Sequence, residues 1–511
     1  MPIGQNVLLI TSDQQHWFTL GLQNPEIKTP NLDRLAKSGF MSNRAYCPNP
    51  TCTPTRASLI TGQYPSQHGA YTLGTKLPEN ALTLGELMQK QQQRSILIGK
   101  AHFQPLASTP EYSSLEAYPI LHDQAFWKDY RESFYGFDTV ELTRNHTDES
   151  HVGQHYVLWL EKQGFDWKPY YNRPAGLKEP GEGIAGGGSS YKWEIPEKYH
   201  YNAWIAERCN DHLEQLAQHG ENFFMWASFL DPHPPYLVPE PWASMYDPKT
   251  LTVPCGREGE HDRNPHHFRE TQKAQPDFQR YKDPQNDFWI HGFGCHLHDR
   301  EELAKQVAIY YGMISMMDHY IGKILDRLES LGLQDRTLVV FTSDHGHFYG
   351  HHGLIAKGAF HYEDMIRVPF IASYPGVIPA GQMSEAMVSL VDFAPTALSS
   401  MGMNIPRCMT GKDLMPLLSG KVAQVRDHIV VENHHTPITV HAKTYVEERY
   451  KITVYQNSQE GEIFDLLDDP GEFNNLWFSR DHLELKCRLL LKLQQAEMEK
   501  EPMWMPRIYG A

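Results

Sequence analysis

The apolar positions of this chain fall into short runs separated by longer amphipathic stretches. Asn6-Val7-Leu8-Leu9-Ile10-Thr11 is almost continuously apolar, the pattern of a strand covered on both faces. Similar runs at Ser95–Ile98, Phe223–Leu230, Thr337–Phe341 and Val368–Ser373 predict further strands. Leu82–Gln92 reads as a helix. A longer helix is predicted over Glu301–Leu331, with apolar positions at Ala308, Tyr311, Ile314, Ile321, Ile324 and Leu325, and with Gly332 placed to stop it. Strands alternating with helices predict an α/β fold: a mostly parallel sheet sandwiched by helices. Beyond residue 400 the period shortens. His428–Glu432, Thr444–Glu448 and Tyr450–Tyr455 read as antiparallel strands, Phe464-Asp465-Leu466 follows, and Asp481–Lys500 as a closing helix. The expected organisation is a main domain over 1–400 and a small α+β subdomain over 401–511. The Gly- and Pro-rich stretch 176–190 and the His-rich stretch 256–300 are expected to be loops.

The polar residues sharpen this picture, because they gather just after the predicted strands. Asp13 follows the first, Lys100 and His102 the second, His233 the third, and Asp344 and His345 the fourth. In open α/β sheets ligands bind outside the carboxyl ends of the strands, so four clusters on that edge mark a site. Cys52-Thr53-Pro54-Thr55-Arg56 adds a thiol and a guanidinium four residues apart, on one face of a helical turn. Pro54 suits the first turn of a helix, and a helix N-terminus favours an anion. Read alone, Cys52 is either a core thiol or a nucleophile. A thiol phosphatase loop fits less well, because it needs about five residues between Cys and Arg to wrap a phosphate, and three are present here.

Composition limits the partners. The 511 residues carry 46 Lys+Arg against 62 Asp+Glu, a net charge of −16, which argues against general binding to nucleic acid or to an anionic membrane. An anionic substrate must then be drawn in locally, and 28 histidines supply donors and ligands without fixed charge. The seven cysteines, Cys47, Cys52, Cys209, Cys255, Cys295, Cys408 and Cys487, form no zinc-knuckle spacing. Without a visible leader the expected location is cytoplasmic, or periplasmic or secreted if a leader has been removed.

The Cys52–Arg56 run resembles the signature C-x-[PS]-x-R of the formylglycine-dependent (type I) sulfatases, of the alkaline-phosphatase-like superfamily. Thr29-Pro30-Asn31-Leu32-Asp33-Arg34, Gly99-Lys100-Ala101-His102, Asp344-His345-Gly346 with Lys357, Arg367-Val368-Pro369 and Phe464-Asp465-Leu466…Asp469-Pro470-Gly471-Glu472 are similar to further blocks of that family. The resemblance implies an alkaline-phosphatase-like fold and hydrolysis of a sulfate monoester. It implies that a maturation enzyme oxidises Cys52 to Cα-formylglycine, whose hydrate is the nucleophile. It implies one divalent cation, normally Ca²⁺, held by Asp13, Gln14, Asp344, His345 and the modified Cys52. By the same resemblance Arg56 holds the formylglycine, Lys100 and Lys357 bind sulfate oxygens, His102 bonds the hydrate, and His233 lies near the leaving oxygen. Two residues depart from the common pattern: Gln14 where many members have Asp, and His345 where many have Asn. Both leave Mg²⁺, Mn²⁺ or Zn²⁺ open.

A phosphonate monoester or phosphodiester hydrolase of the same superfamily shares the nucleophile, Asp344-His345 and an Asp-Gln near the start; Lys100 and His102 speak against it. A non-catalytic protein binding anionic glycans would lack catalytic groups, and none is missing. For the substrate, a polar pocket suits a sugar or oligosaccharide. Candidate contacts are Asn145, His146, Asp148 and His151 in one polar cluster, and also His200, His434, His435, His266, His267 and Arg269; Asp318 reads as structural. The oligomeric state is left open.

Overall fold

The computed structural model describes residues 6–172, 192–282, 292–355, 357–435 and 440–510. The 176–190 stretch and the 283–291 portion of the 256–300 loop lie outside them. The main sheet is built from β1 (Asn6–Ser12), β2 (Phe40–Tyr46), β3 (Arg94–Gly99), β4 (Thr139–Leu142), β5 (Phe223–Ser228), β6 (Thr337–Ser343), β7 (Arg367–Ser373), β8 (Gln382–Ser384) and β9 (Val388–Ser389). Their order is β4-β3-β5-β1-β6-β7-β2-β8, with β9 also on β2. Pairing is parallel except where β7 runs antiparallel to β6 and β2.

Strand β1 is central, and its alternation builds two cores. Leu8 and Ile10 face the layer that contains Leu32, Ile205, Leu213, Ile314 and Ile321, from the helices Pro30–Lys37, Tyr201–His219 and Arg300–Ser330. Val7 and Leu9 face the other layer, with Ala57, Leu59 and Ile60 of the helix Cys52–Thr61 and Ala394 and Ala397 of Phe393–Ser400. Both faces are dry, which is why β1 reads as a continuous apolar run. Asp318 of the long helix accepts bonds from the backbone of Asn31 (3.2 Å) and Leu32 (2.8 Å), anchoring the start of Pro30–Lys37.

The register aligns the functional edge. β1 pairs with β6 from Asn6↔Thr337 to Ser12↔Ser343, and β3 pairs with β5 out to Gly99↔Ser228. Asp13 and Asp344 therefore leave the sheet side by side, and Lys100 leaves beside the end of β5. Gly99 has φ +103°, and a Cβ there would stand 1.9 Å from the Ser228 carbonyl oxygen. Only glycine lets the two strands close in this way.

Residues 429–465 form the antiparallel strands β10 (Ile429–His434), β11 (His441–Val446), β12 (Tyr450–Tyr455) and β13 (Gly461–Asp465). Val430, Tyr445, Ile452 and Ile463 pack against Leu489 and Leu493 of the helix Leu483–Glu499. Ile429, Val431 and Val446 turn the other way and join the same core as Val7 and Leu9. No helix among the described residues is long and apolar enough to cross a membrane.

The segment that carries Lys357 is fixed by His352. Its Nδ1 pairs with Glu260, its Nε2 lies 3.1 Å from Asp364 Oδ2, and its ring stacks 3.6 Å from Tyr362. Burial alone would lower its pKa, but the bonds to Asp364 and Glu260 push it up to about 9 from 6.5. Because the folded value lies above the unfolded one, the charge stabilises the fold fully below pH 6.5, and that contribution is lost as pH rises through 9. The gap amounts to about 3 kcal/mol. Urea unfolding is expected to show His352→Gln with a markedly flatter loss of stability over this window than the parent protein. Equal slopes in the two proteins contradict the assignment.

Candidate active site

Every residue of the helix Cys52–Thr61 is buried, and Cys52 is its first residue. Thr51 and Thr55 fix the entry through Asn49, at 2.5 Å to its side-chain oxygen and 2.6 Å to its carbonyl. Cys52 Sγ lies 3.1 Å from Lys357 Nζ, 3.2 Å from His345 Nε2 and 3.6 Å from Asp13 Oδ1. Burial, seconded by Asp13, raises its pKa above the usual thiol value. As a free thiol it stays protonated and is a poor nucleophile.

Arg56 binds the frame of the site. Its guanidinium donates to Asp344 Oδ2 (2.9 Å), Asp13 Oδ2 (3.3 Å), the Lys100 carbonyl (2.9 Å) and Ser228 Oγ (2.7 Å), with no hydrogen bond to Cys52. One fully buried side chain thus ties together the ends of β1, β3, β5 and β6. It orients the carboxylates beside Cys52.

Asp13, Cys52, Asp344 and His345 place their ligand atoms within 4.8 Å of one another. His345 Nδ1 lies 3.0 Å from the Gly346 carbonyl, so it carries the proton and turns the Nε2 lone pair toward Cys52 Sγ and Lys357 Nζ. Gln14 has φ +64° and gives its N–H to Asp344 Oδ1 at 3.0 Å. Its amide nitrogen lies 2.9 Å from His347 Nδ1, and its Oε1 is buried without a partner. Burial would raise the pKa of Asp13, but Lys100, His233, Arg56 and Lys357 hold it well below the usual carboxylate range. Two carboxylates, one unprotonated imidazole nitrogen and one orphaned amide oxygen fit a divalent cation.

The cationic and acid–base groups lie around the same point. Lys100 is fully buried; its Nζ pairs with Asp13 and lies 2.6 Å from His146 Nε2. Lys357 Nζ lies 2.8 Å from His233 Nε2. His233 Nδ1 is 2.5 Å from the Pro234 carbonyl, which fixes its tautomer, and its ring stacks on His146 at 3.7 Å. His102 has φ +57° and an unpartnered, buried Nδ1. The backbone N–H groups of His102, Phe103 and Gln104 all donate to Glu116, at 2.9, 2.9 and 2.8 Å, which holds this turn. Burial, reinforced by nearby cations, keeps His102 and His233 well below the ordinary histidine range. Both are therefore neutral and able to take a proton.

Of the predicted substrate contacts, only His146 touches this cluster. Asn145 spends its amide on Thr147 O (2.9 Å) and Thr143 Oγ1 (2.7 Å), shaping its own loop; Asp148 is half-buried in that loop. His200 is fully buried and caps the helix Tyr201–His219 by accepting from Asn202 N at 3.2 Å, so its role is structural. His434 stacks on His441 at 3.8 Å at the end of β10, and His435 is buried. His267 bonds the Ala359 carbonyl at 2.9 Å, His266 and Arg269 pair with Glu270 and Glu460, and all three serve packing of the long loop. Arg144, Glu116 and His347 were not legible as site residues, whereas Glu149 lies within the polar cluster 145–151 singled out above. Arg144 follows β4, whose four residues give too short a pattern to read, although its place after a strand was a usable signal.

A sulfatase family model matches residues 5–403, and a model of the N-sulphoglucosamine sulphohydrolase C-terminal region matches residues 350–499. The chain is similar to the multifunctional alkaline phosphatase superfamily protein PehA of Trinickia caryophylli, at 28% identity over 499 residues, 92% of this chain and 91% of that protein. It is similar to an arylsulfatase of Clostridium perfringens, at 26% identity over 97% of this chain and 94% of the other. Its fold matches a phosphonate monoester hydrolase from Silicibacter pomeroyi with a TM-score of 0.77 at 23% identity, covering 98% of this chain and 96% of that one. The chain belongs to the sulfatase family and is a sulfuric ester hydrolase with an alkaline-phosphatase-like fold.

Proposed function

We propose that the enzyme cleaves a sulfate monoester on a carbohydrate, using Cys52 matured to Cα-formylglycine as the nucleophile. One observation carries this reading: Lys357 lies 3.1 Å from Cys52 Sγ and bonds the neutral His233, and Lys100 pairs with Asp13, at the sheet edge that bears Asp13 and Asp344. The match of residues 350–499 to a sugar sulfohydrolase region supports the carbohydrate. The hydrated aldehyde supplies two hydroxyls, one to attack sulfur and one whose deprotonation releases sulfate. Asp13, Gln14, Asp344 and His345 would hold one divalent cation, which when bound draws charge from a sulfate oxygen. The imidazole in this set favours Mn²⁺ or Zn²⁺ over Ca²⁺.

The remaining steps rest on the protein. Lys100 and Lys357 take the equatorial sulfate oxygens, fixing sulfur in line with residue 52. His102 accepts the proton of the attacking hydroxyl at its open ring nitrogen. The leaving oxygen takes a proton from the Lys357 ammonium, relayed through Nε2 of the neutral His233. Its bond to Pro234 and its stack on His146 keep Nε2 aimed in one direction.

A second reading, hydrolysis of phosphonate monoesters or phosphodiesters, is favoured by Gln14 with His345 and by the likeness to a multifunctional protein. Rates on a sulfated monosaccharide, an aryl sulfate and a phosphonate monoester, measured with enzyme shown by mass to be matured, separate the two. Sulfate turnover is expected to dominate, and dominant phosphonate turnover overturns the proposal.

A further inference from the structure

The loop after β4 holds polar groups that the proposed chemistry does not use. Arg144 is 4% exposed, yet its guanidinium forms no hydrogen bond among the described residues, and its Nε is buried and unpartnered. The nearest carboxylate, Glu116, stands 3.5 Å from that Nε and is already filled by three backbone N–H groups. His151 is 2% exposed and neither ring nitrogen makes a hydrogen bond, Nε2 having only the Glu149 carboxylate beside it, and Thr147 Oγ1 is buried and unpartnered. Buried donors are almost always satisfied, so this many within eight residues calls for a ligand. They adjoin the catalytic centre: Lys100 bonds His146 at 2.6 Å, His146 bonds Glu149 at 3.0 Å, and Glu149 lies 3.3 Å from His151.

The spacing of His146, Glu149 and His151 would also suit a metal ion. The hydrogen bonds oppose it. His146 Nε2 accepts from the Lys100 ammonium, so its proton sits on Nδ1 and faces Glu149. A cation there would have to displace that proton beside a lysine and an arginine. Burial, with Arg144 and Lys100 adding to it, lowers His151 to about 3, so its ring is neutral. The Arg144 fork, which makes no hydrogen bond among the described residues, is shaped for a planar or tetrahedral acidic group.

We propose that Arg144, His151 and Thr147 form a second anion subsite beside the ester-cleaving centre, which selects substrates carrying another acidic group, a carboxylate or a second sulfate, close to the scissile sulfate. The inference rests on the sulfate ester reading above and names its substrate class. Against a neutral sugar the buried Arg144 cation would keep its charge uncompensated, whereas a second anion pairs it.

The test compares matured parent enzyme, Arg144→Gln, Arg144→Lys and His151→Gln on three substrates. These are N-acetylglucosamine 6-sulfate, glucosamine N,6-disulfate and a 2-O-sulfated hexuronate. The parent is expected to prefer one or both doubly acidic substrates, and whichever it prefers identifies the acidic group. Arg144→Gln is expected to lower that kcat/KM ratio by about 10- to 100-fold, mainly through KM, as loss of a charge-assisted pair does. Arg144→Lys should recover part of the ratio. If Arg144→Gln does not fold, His151→Gln reports the same ratio with the arginine intact. A parent without preference, or variants that lose equally on all substrates, overturns the subsite; equal loss places the guanidinium on the scissile ester. A matured parent with no sulfate turnover at all refutes the underlying function instead.

Discussion

Cys52→Ala is expected to lower kcat on a sulfate ester by at least about 10⁴-fold while leaving the fold intact, because removing a covalent nucleophile leaves only binding and charge stabilisation. The thiol contributes no bond on which the helix depends; Asn49 and the threonines at positions 51 and 55 fix its entry. Cys52→Ser separates nucleophilicity from turnover. A serine hydroxyl in this position has the same neighbours, Lys357, His345 and Asp13, and can in principle attack sulfur. It has no second hydroxyl to expel sulfate, so one turnover followed by a stall is expected, with added sulfate mass on the peptide. In the parent enzyme the tryptic peptide of residues 45–56 should be lighter than its thiol form, as conversion of Cys52 to the aldehyde requires. Undiminished activity of Cys52→Ala sinks the mechanism, and full activity of a peptide that keeps its thiol does so equally.

What the sequence made legible follows from how strongly each feature was encoded. The central strands are covered on both faces, so β1, β5 and β6 stand out as apolar runs, and the residues that end them fall at the site. Elements near the sheet's margins were not legible. β2 reads Phe-Met-Ser-Asn-Arg-Ala-Tyr, with a polar centre set by its pairing to β7 and β8, and β4 has four residues. The helix Tyr201–His219 carries too many polar positions for its period to show, although its apolar stripe packs on the core. The ligand-type residues at strand ends were identifiable from position, and the groups that orient them were not. Glu116, His347 and Ser228 act through backbone or through another side chain, over sequence distances that no local pattern records.

Arg56 shows the same limit. Its spacing placed it on one helix face with Cys52, and its bonds in the folded chain, which no spacing could show, make it a strut as well. Arg56→Ala is therefore expected to act first on stability. It removes bonds to Asp344, Asp13, Ser228 and the Lys100 carbonyl at a site with no exposed side chain. Lys100 still pairs with Asp13, but Asp344 Oδ2 loses its cation. Breaking a buried pair by removing one partner costs about 3–5 kcal/mol, because an uncompensated charge is left behind. A divalent cation can replace part of what the guanidinium provides, since the same two carboxylates are its candidate ligands. Unfolding measured in chelator and then in excess Mn²⁺ should show a larger gain for Arg56→Ala than for the parent protein. The conservative Arg56→Lys should fall between them, because a lysine reaches one carboxylate but not four acceptors. If Arg56→Ala unfolds like the parent and loses only activity, the guanidinium acts on the reacting group as the sequence first suggested, and the strut is wrong.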